Sequence, residues 1–194
     1  MKQGLPFVIT ISRQLGSGGS YIGQQLAQKL NIFYADREII REAAKQLSLL
    51  EEDLESRDEK ISSFWKSFFQ SFAFVEPDGY IPPKNFAPTD LELFKTESGI
   101  IKRIAEERSS VIIGRCGSFI LREHPNHISM FIHSDKNFRK ERIQKIYNVS
   151  EKTAEKMIEQ CDKERALYYR KFTGKDWMDM TQYNITIDTA KIGL

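Results

Sequence analysis

Residues 7–31, FVITISRQLGSGGSYIGQQLAQKLN, have the order strand, glycine-rich loop, helix. The run 7–11 is β-branched and aromatic, which is typical of a strand buried on both faces. Residues 12–20 contain three glycines and three serines, and the apolar residues after them recur at helical spacing. The stretch therefore predicts one strand of a parallel sheet, with the glycine-rich loop at the carboxyl end of that strand.

Short apolar runs elsewhere predict four more strands, separated by segments with helical periodicity. The strands are expected at 31–35, 111–113, 128–132 and 184–188, and the helices at 37–47, 48–75, 89–108, 136–147 and 150–170. This alternation indicates an α/β fold with a mainly parallel sheet and right-handed crossovers. Because only seven residues follow Ile187, no closing helix is expected after the last strand.

Composition excludes several classes of protein. The 194 residues have 40% hydrophobic side chains and a net charge of +2, enough to build one core and too balanced for whole-surface nucleic-acid binding. No apolar run approaches a membrane span, and the first residues lack the features of a signal peptide, so we expect a cytoplasmic protein without membrane contact. The two cysteines, Cys116 and Cys161, have no second thiol near either, which argues against disulfides and zinc.

Charge is distributed unevenly along the chain. Residues 136–175 contain 12 basic and 6 acidic side chains, a local charge of +6, so the remaining 154 residues carry −4. An acidic run at 51–60 is interpreted as a solvated helix face. The basic segment is either another solvated face or a surface that meets phosphate groups.

Large aromatic residues recur at helical spacing within 61–74. Such a stripe is more typical of core or subunit contact than of ligand binding, so a homodimer through this segment is one possibility. An interaction module that pairs with itself through Phe64–Phe74 is one alternative function.

The glycine-rich loop matches half of a phosphate-binding pattern. In the register GxxxxGK[ST], Gly18 and Ser20 match, while Arg13 replaces the first glycine and Gly19 replaces the lysine. Such a loop binds phosphates through its backbone N–H groups, and its lysine supplies positive charge to the terminal phosphates. Arg13 is a candidate to supply that charge instead, and an ordinary turn between strand and helix is the structural alternative.

Polar residues also follow other predicted strands. Asp36 and Arg37 could bind a second substrate, or could be a helix cap and a surface arginine. Arg115 follows a buried strand, where a phosphate would explain it. Phosphoryl transfer also needs cations around the shifting charge, and the basic helices could supply them. These cations are Arg139, Arg142, Lys163, Arg165 and Arg170.

Taken together, the motifs resemble the nucleoside monophosphate kinases, most closely the cytidylate-kinase-like family, over nearly the whole chain. ISRQLGSGGSYIGQQLAQKL is similar to that family's first loop and helix, in which the usual lysine is also absent. FYADREII, VIIGRCGSFIL, FIHSDKNFRKERI and DKERALYYRKFTGKDWMDMTQYNITIDT resemble the family's later segments. The resemblance implies a three-layer α/β/α P-loop kinase core, with parts at 1–47, 109–147 and 176–194, a helical monophosphate-binding insertion near 48–108 and a lid near 148–175.

The resemblance also implies γ-phosphoryl transfer from ATP, with Mg²⁺, to CMP or dCMP. On that basis Ser20 would hold Mg²⁺, and the loop residues would wrap the ATP phosphates. The implied loop residues are Gly16, Ser17, Gly18, Gly19 and Ser20, the acceptor-binding residues Asp36, Arg37 and Arg115, the catalytic residues Arg13, Arg139 and Arg165, and the lid residues Lys163 and Arg170. Two alternatives remain open, a catalytically impaired nucleotide-binding protein and a kinase for another small molecule.

Overall fold

A computed structural model of the protein describes residues 6–36, 40 and 91–194. The predicted acceptor residue Arg37, the aromatic segment 61–74 and most of the predicted insertion lie outside these residues. The strands are β1 (Val8–Arg13), β2 (Phe33–Ala35), β3 (Ser110–Ile113), β4 (His127–His133) and β5 (Ile185–Asp188). The helices are α1 (Gly19–Leu30), α2 (Leu91–Glu107), α3 (Gly117–Ile120), α4 (Lys136–Tyr147), α5 (Glu151–Thr173) and α6 (Thr189–Ile192), with a 3₁₀ turn at Met180–Gln182.

The five strands form one sheet in the order β2-β3-β1-β4-β5, and every pair is parallel. The central strand β1 pairs with β3 on one side and β4 on the other, with Ile9 opposite Val111 and Ile128. Because all strands run the same way, their carboxyl ends meet at one edge. The glycine-rich loop, Asp36 and Arg115 follow three adjacent strands at that edge, as the sequence predicted.

Helices cover both faces of this sheet. A Cβ atom placed on Gly23 of α1 would meet the side chains of Ile11 and Ile113, whereas one on Gly117 of α3 would meet those of Thr10 and Ile112. Neighbouring residues of a strand point to opposite faces, so α1 and α3 lie on opposite sides. The predicted three-layer α/β/α arrangement with a parallel sheet is confirmed.

Capping residues explain where several helices begin and end. The Asp135 side chain accepts hydrogen bonds from the N–H groups of Asn137 and Phe138, both at 2.9 Å, at the start of α4. Ser150 begins α5 as predicted, accepting from Thr153 N at 3.2 Å. Strand β2 starts two residues later than predicted, because Asn31 adopts a left-handed conformation that ends α1.

One prediction about the end of the chain was wrong. A single helical turn, α6, follows β5, and the Asp188 side chain caps it by accepting from Ala190 N at 3.0 Å. A side-chain cap allows four residues to complete a helical turn, so the seven residues after Ile187 are enough for one. Within the described ranges, no helix is both long and apolar enough to cross a membrane.

His127 begins β4, at the end of the sheet away from the glycine-rich loop. Its Nε2 atom lies 2.8 Å from the hydroxyl oxygen of Thr10 on β1. Burial, with a smaller contribution from the nearby His124, lowers the pKa of His127 to about 4, while a hydrogen bond with the backbone of Leu121 opposes this shift. His127 is therefore neutral in the folded chain at neutral pH, as a polar contact between two central strands.

We expect His127 to make folding stability depend on pH. Its contribution is fully present above about pH 6.5, where the unfolded histidine is also neutral, and is lost as the pH falls toward 4. The loss should reach about 1–2 kcal/mol after solvent screening. Denaturant unfolding between pH 7 and pH 4 should show a flatter pH dependence for His127→Gln than for the wild type. Equal slopes in the wild type and His127→Gln would contradict this assignment.

Candidate active site

The loop between β1 and α1, residues 14–18, is called the glycine loop below. Gly16 and Gly18 have φ angles of 82° and 80°, in the left-handed region that glycine tolerates best. At Gly16 the space is also closed, because a Cβ atom there would lie 2.8 Å from the carbonyl oxygen of Arg139. Both glycines are therefore required by the path of the loop.

Hydrogen bonds hold the glycine loop to the end of the sheet. The Ser17 hydroxyl donates to the carbonyl oxygens of Gln14, at 2.8 Å, and Ile132, at 3.1 Å. The Ser17 N–H also donates to Gln14 O, at 3.3 Å, and the Thr189 hydroxyl donates to Ser17 O, at 2.8 Å. Ser17, which the family resemblance placed on the phosphates, thus uses its side chain to hold the shape of the loop.

The N-terminus of α1 lies directly after this loop. No side chain caps its first residues, and its first turn contains no acidic residue. The first N–H groups of a helix have no partner inside the helix and lie at the positive end of its dipole. The start of α1 therefore presents N–H groups and the positive end of a helix dipole beside the glycine loop.

Arg13, the last residue of β1, crosses this helix start. A Cβ atom on Gly19 would lie 2.5 Å from Arg13 Cβ and 2.9 Å from Arg13 Cγ. Further along the side chain, Arg13 Nε donates to the Ser20 hydroxyl at 3.4 Å, and a Cβ atom placed on Gly114, beyond β3, would overlap Arg13 Nη1. The arginine therefore fills the space that a side chain at position 19 would need.

The Arg13 guanidinium group is buried and lies near a second cation, Arg165. Burial, and next the nearby Arg165, lower the pKa of Arg13 to about 9, with smaller opposing effects from Tyr34, Cys161 and Asp36. No salt bridge to Arg13 is present in the described part of the chain. A bound anion would stabilise the charged form of a buried guanidinium group that lies beside a second one.

Arg165 on α5 approaches the loop from the other side. Its Nη1 atom donates to the carbonyl oxygen of Arg13 at 2.8 Å and lies 3.9 Å from Asp162 Oδ1. The predicted catalytic residues Arg13 and Arg165 are thus brought together. Lys163 and Arg170, on the same helix, are exposed.

Arg139, the third predicted catalytic residue, is committed to a structural contact here. Its Nη1 atom lies 2.6 Å from Asp162 Oδ2 and donates to the carbonyl oxygen of Leu15 at 3.3 Å, with little of the side chain exposed. Asp162 also accepts from Leu15 N at 2.9 Å. Arg139 is therefore paired in this structure, and its catalytic role stays a prediction.

Other cations of the segment 136–175 pair with carboxylates on the surface. Lys136 lies 2.5 Å from Glu155 and 2.9 Å from Glu159, and Lys140 lies 2.5 Å from Glu151. These contacts join α4 to α5 through side chains that are partly or largely exposed, where ion pairs contribute little. These two lysines are thus paired with acids that the local +6 already counts, and the prediction of a phosphate-facing segment applies to Arg165 more than to them.

Arg115, a predicted acceptor residue, forms a buried ion pair. Its Nη2 atom lies 3.0 Å from Glu97 Oε1 on α2, and the side chains are 5% and 2% exposed. The guanidinium carbon lies 5.3 Å from the centre of the Tyr168 ring, and the Tyr168 hydroxyl donates to Glu97 Oε2 at 3.1 Å. Arg115 Nε and Nη2 make no well-aligned hydrogen bond within the part described. The Arg115 charge is thus paired with Glu97, while its Nε and Nη2 atoms could still donate hydrogen bonds.

Asp36 lies just after β2, at the same edge of the sheet. Its carboxylate is near enough to Arg13 and Tyr34 to influence the pKa of both side chains.

Two residues of the site, Asp162 and Glu97, were not predicted from the sequence. Glu97 occupies a position between Phe94 and Ile101 on the apolar stripe of α2, a signal that could have identified it, whereas Asp162 lies in a mixed charge run without any such signal.

Removing Glu97 should destabilise the fold strongly, because the Arg115 charge would remain buried without its partner. We expect Glu97→Ala to lower the free energy of unfolding by about 3–5 kcal/mol. Glu159→Ala breaks an exposed ion pair and should cost less than about 1 kcal/mol. Urea unfolding of the two variants makes the comparison, and a similar small loss in both would show that Glu97 and Arg115 are not coupled.

Comparison with known proteins places the chain in a family. The family model described as the cytidylate kinase-like family matches residues 8–191. Among solved structures, the chain is similar to an uncharacterized protein from Eubacterium ventriosum ATCC 27560, with a TM-score of 0.68 and 27% identity, covering 94% of this chain and 87% of that one. No curated protein matches.

Two kinases show weaker similarity. A gluconokinase from Sinorhizobium meliloti 1021 has a TM-score of 0.48 and 14% identity, covering 96% of this chain and 84% of that one. A shikimate kinase from Bacteroides thetaiotaomicron has a TM-score of 0.45 and 13% identity, covering 94% and 85%. The family match and the parallel P-loop fold support nucleotide or small-molecule kinase activity. The chain belongs to the cytidylate kinase-like family.

Proposed function

We propose that this protein transfers the γ-phosphoryl group of ATP to a nucleoside monophosphate, with CMP or dCMP as the preferred acceptor. The observation that carries the proposal is Arg13, a guanidinium group without a salt bridge in the described chain, held beside Arg165 at an uncapped helix start. Such a site fits a polyphosphate better than a neutral ligand, because it supplies positive charge and unpaired N–H groups together.

The donor phosphates are proposed to bind along the glycine loop and the start of α1. Gly16, Gly18, Gly19 and Ser20 offer backbone groups there, and Ser17 keeps the loop in shape. Arg13 takes the role of the missing lysine. The exchange is reciprocal: the position that is usually glycine carries the cation, and the position that usually carries the cation is glycine.

Mg²⁺ is proposed to bind together with ATP, with the Ser20 hydroxyl as its ligand from the protein. Among the residues described, no group of three or more His, Cys, Asp or Glu side chains could hold a metal ion. This fits a magnesium ion that keeps most of its waters and binds mainly to substrate phosphates. When bound, Mg²⁺ would neutralise charge on the phosphates that leave and transfer.

The acceptor is proposed to bind at the carboxyl ends of β2 and β3. The Asp36 carboxylate lies near Arg13 and is proposed to accept hydrogen bonds from the acceptor nucleotide. Arg37 is proposed to bind the same nucleotide. Arg115 retains hydrogen-bonding capacity toward a phosphate, although Glu97 balances its charge. The preference for cytidine rests on the family match.

During transfer, Arg13 and Arg165 are proposed to stabilise the charge on the moving phosphoryl group. Both already lie at the loop, so little rearrangement is needed. Lys163 and Arg170 of the lid, near 148–175, are proposed to add positive charge, and the insertion near 48–108 is proposed to cover the acceptor. Because Asp162 and Arg165 bind residues 13–15, we expect the middle of α5, including Lys163, to stay in place while Arg170 moves with a closing lid.

A substrate panel tests the proposal directly. With ATP and Mg²⁺, coupled ADP release should be fastest with CMP or dCMP, and slower with AMP, GMP or UMP. ADP release with a hydroxylated small acid alone would indicate a different small-molecule kinase. Calorimetric ATP binding without ADP release for any acceptor would instead identify a catalytically impaired nucleotide-binding protein.

Loss of Arg13 should impair both binding and turnover. We expect Arg13→Ala to lower kcat/KM for ATP by about 10²–10³-fold, the typical effect of removing one preorganised donor from developing charge. Lys145→Ala removes one charge from the exposed far end of α4 and should leave kcat/KM unchanged. Equal activities of Arg13→Ala and the wild type would remove Arg13 from the site.

The reciprocal exchange yields a sharper test. Gly19→Lys alone should disrupt the site, because its Cβ atom would overlap Arg13 Cβ. The double variant Arg13→Gly/Gly19→Lys removes that overlap and completes the pattern GxxxxGKS. We expect kcat/KM of the double variant to exceed that of either single variant by about tenfold or more. Additive losses would show that the two positions do not share one role.

A further inference from the structure

Asp162 lies where α5 crosses the glycine loop, and both of its carboxylate oxygens are engaged. Oδ1 accepts from the backbone N–H of Leu15 at 2.9 Å, and Oδ2 accepts from Arg139 Nη1 at 2.6 Å. The Asp162 side chain is 17% exposed. The carboxylate is therefore bound within the protein and is poorly placed to touch a substrate.

Arg139 links the Asp162 carboxylate back to the carbonyl oxygen of Leu15. The same Nη1 atom donates to the carbonyl oxygen of Leu15 at 3.3 Å, so both backbone groups of Leu15 are held by one ion pair between α4 and α5. The Leu15 side chain is also buried. It packs in a small apolar cluster with Ile143, Ala154, Ile158 and Cys161. Leu15 is thus the point at which two helices hold the glycine loop.

The position of this anchor matters for the residues that follow it. Gly16, next in the chain, packs against the Arg139 carbonyl, and Gly18 begins α1. A loop with two left-handed glycines has many alternative conformations, and each would point its N–H groups elsewhere. Fixing Leu15 from outside removes those alternatives before a ligand binds.

We propose that Asp162 is a positioning residue that holds the glycine loop in the conformation required by the donor phosphates. This inference rests on the proposed function for the identity of the donor. Arg139 acts with Asp162, neutralising its charge so that the carboxylate does not repel an anion at the loop. The role differs from that of Arg165, which presents its guanidinium group to Arg13 O.

Two variants separate the parts of this anchor. Asp162→Ala removes both contacts, whereas Asp162→Asn keeps an oxygen for Leu15 N–H and loses the ion pair with Arg139. Glu159→Ala is the matched control, because Glu159 joins the same two helices through the exposed Lys136. Melting temperatures of all variants check that each is folded. Hydrogen exchange of a peptide that covers residues 14–18 reports the loop directly.

We expect Asp162→Ala to speed exchange in that peptide by about tenfold and to raise KM for ATP by about tenfold, with KM for the acceptor unchanged. Asp162→Asn should give a smaller change of about threefold in both measurements, and Glu159→Ala none. Binding of a non-hydrolysable ATP analogue, measured by calorimetry, should weaken in parallel. If Asp162→Ala does not fold, Asp162→Asn carries the test.

A lower Vmax with unchanged KM for ATP would overturn the proposal, since it indicates only a smaller folded fraction. Unchanged exchange in residues 14–18 would also overturn it. A wild-type chain that neither binds the ATP analogue nor releases ADP would refute the proposed function. The exchange comparison would then still decide whether Asp162 holds the loop.

Discussion

At the end of the central strand, the Arg13 side chain occupies the space that a side chain at position 19 would need. A Cβ atom at position 19 would lie 2.5 Å from Arg13 Cβ, so only glycine allows the arginine to cross the start of α1. This close approach places a guanidinium group over the positive end of a helix, where it raises rather than balances the local charge. The arrangement is consistent with the unfavourable effect of burial and of Arg165 on the charged form of Arg13.

Such a concentration of positive charge requires a rigid support, and the glycine loop has one on each side. On the sheet side, Ser17 and Thr189 tie the loop to the carboxyl ends of the strands. On the helix side, Asp162 and Arg139 hold both backbone groups of Leu15. A loop fixed in this way can present its N–H groups without the entropy loss that a mobile loop would suffer on binding.

The distribution of charge explains why the net value alone was uninformative. Near-balance over the chain conceals exposed pairs such as Lys136 with Glu159, a buried pair of Arg115 with Glu97, and the Arg13 and Arg165 cluster. The exposed pairs contribute little to stability, and the buried pair of Arg115 with Glu97 would be costly to break. The Arg13 and Arg165 cluster is the proposed phosphate site, and within it Arg13 forms no salt bridge among the described residues.

Sequence patterns determined the elements of this protein and their order. Apolar runs with β-branched residues identified five strands, helical periodicity identified α1, α2, α4 and α5, and the parallel alternation placed the loop, Asp36 and Arg115 at one edge. The helices predicted at 37–47 and 48–75 lie outside the described residues. These signals are local, since each depends on the spacing of residues within one element. The match to a family pattern also depended on local motifs, with Arg13 and Gly19 as its two departures.

Tertiary structure decided which side chains meet. Arg13 approaches Gly114 and Asp162 holds Leu15 across more than 100 residues of chain, and Arg139 and Arg115 each pair with a carboxylate on another element. No periodicity within one element predicts such pairings, because they depend on how the helices lie against the sheet and against one another. The sequence by itself therefore determined where cations could gather, and the tertiary structure decided which of them form ion pairs and which, like Arg13, form none among the described residues.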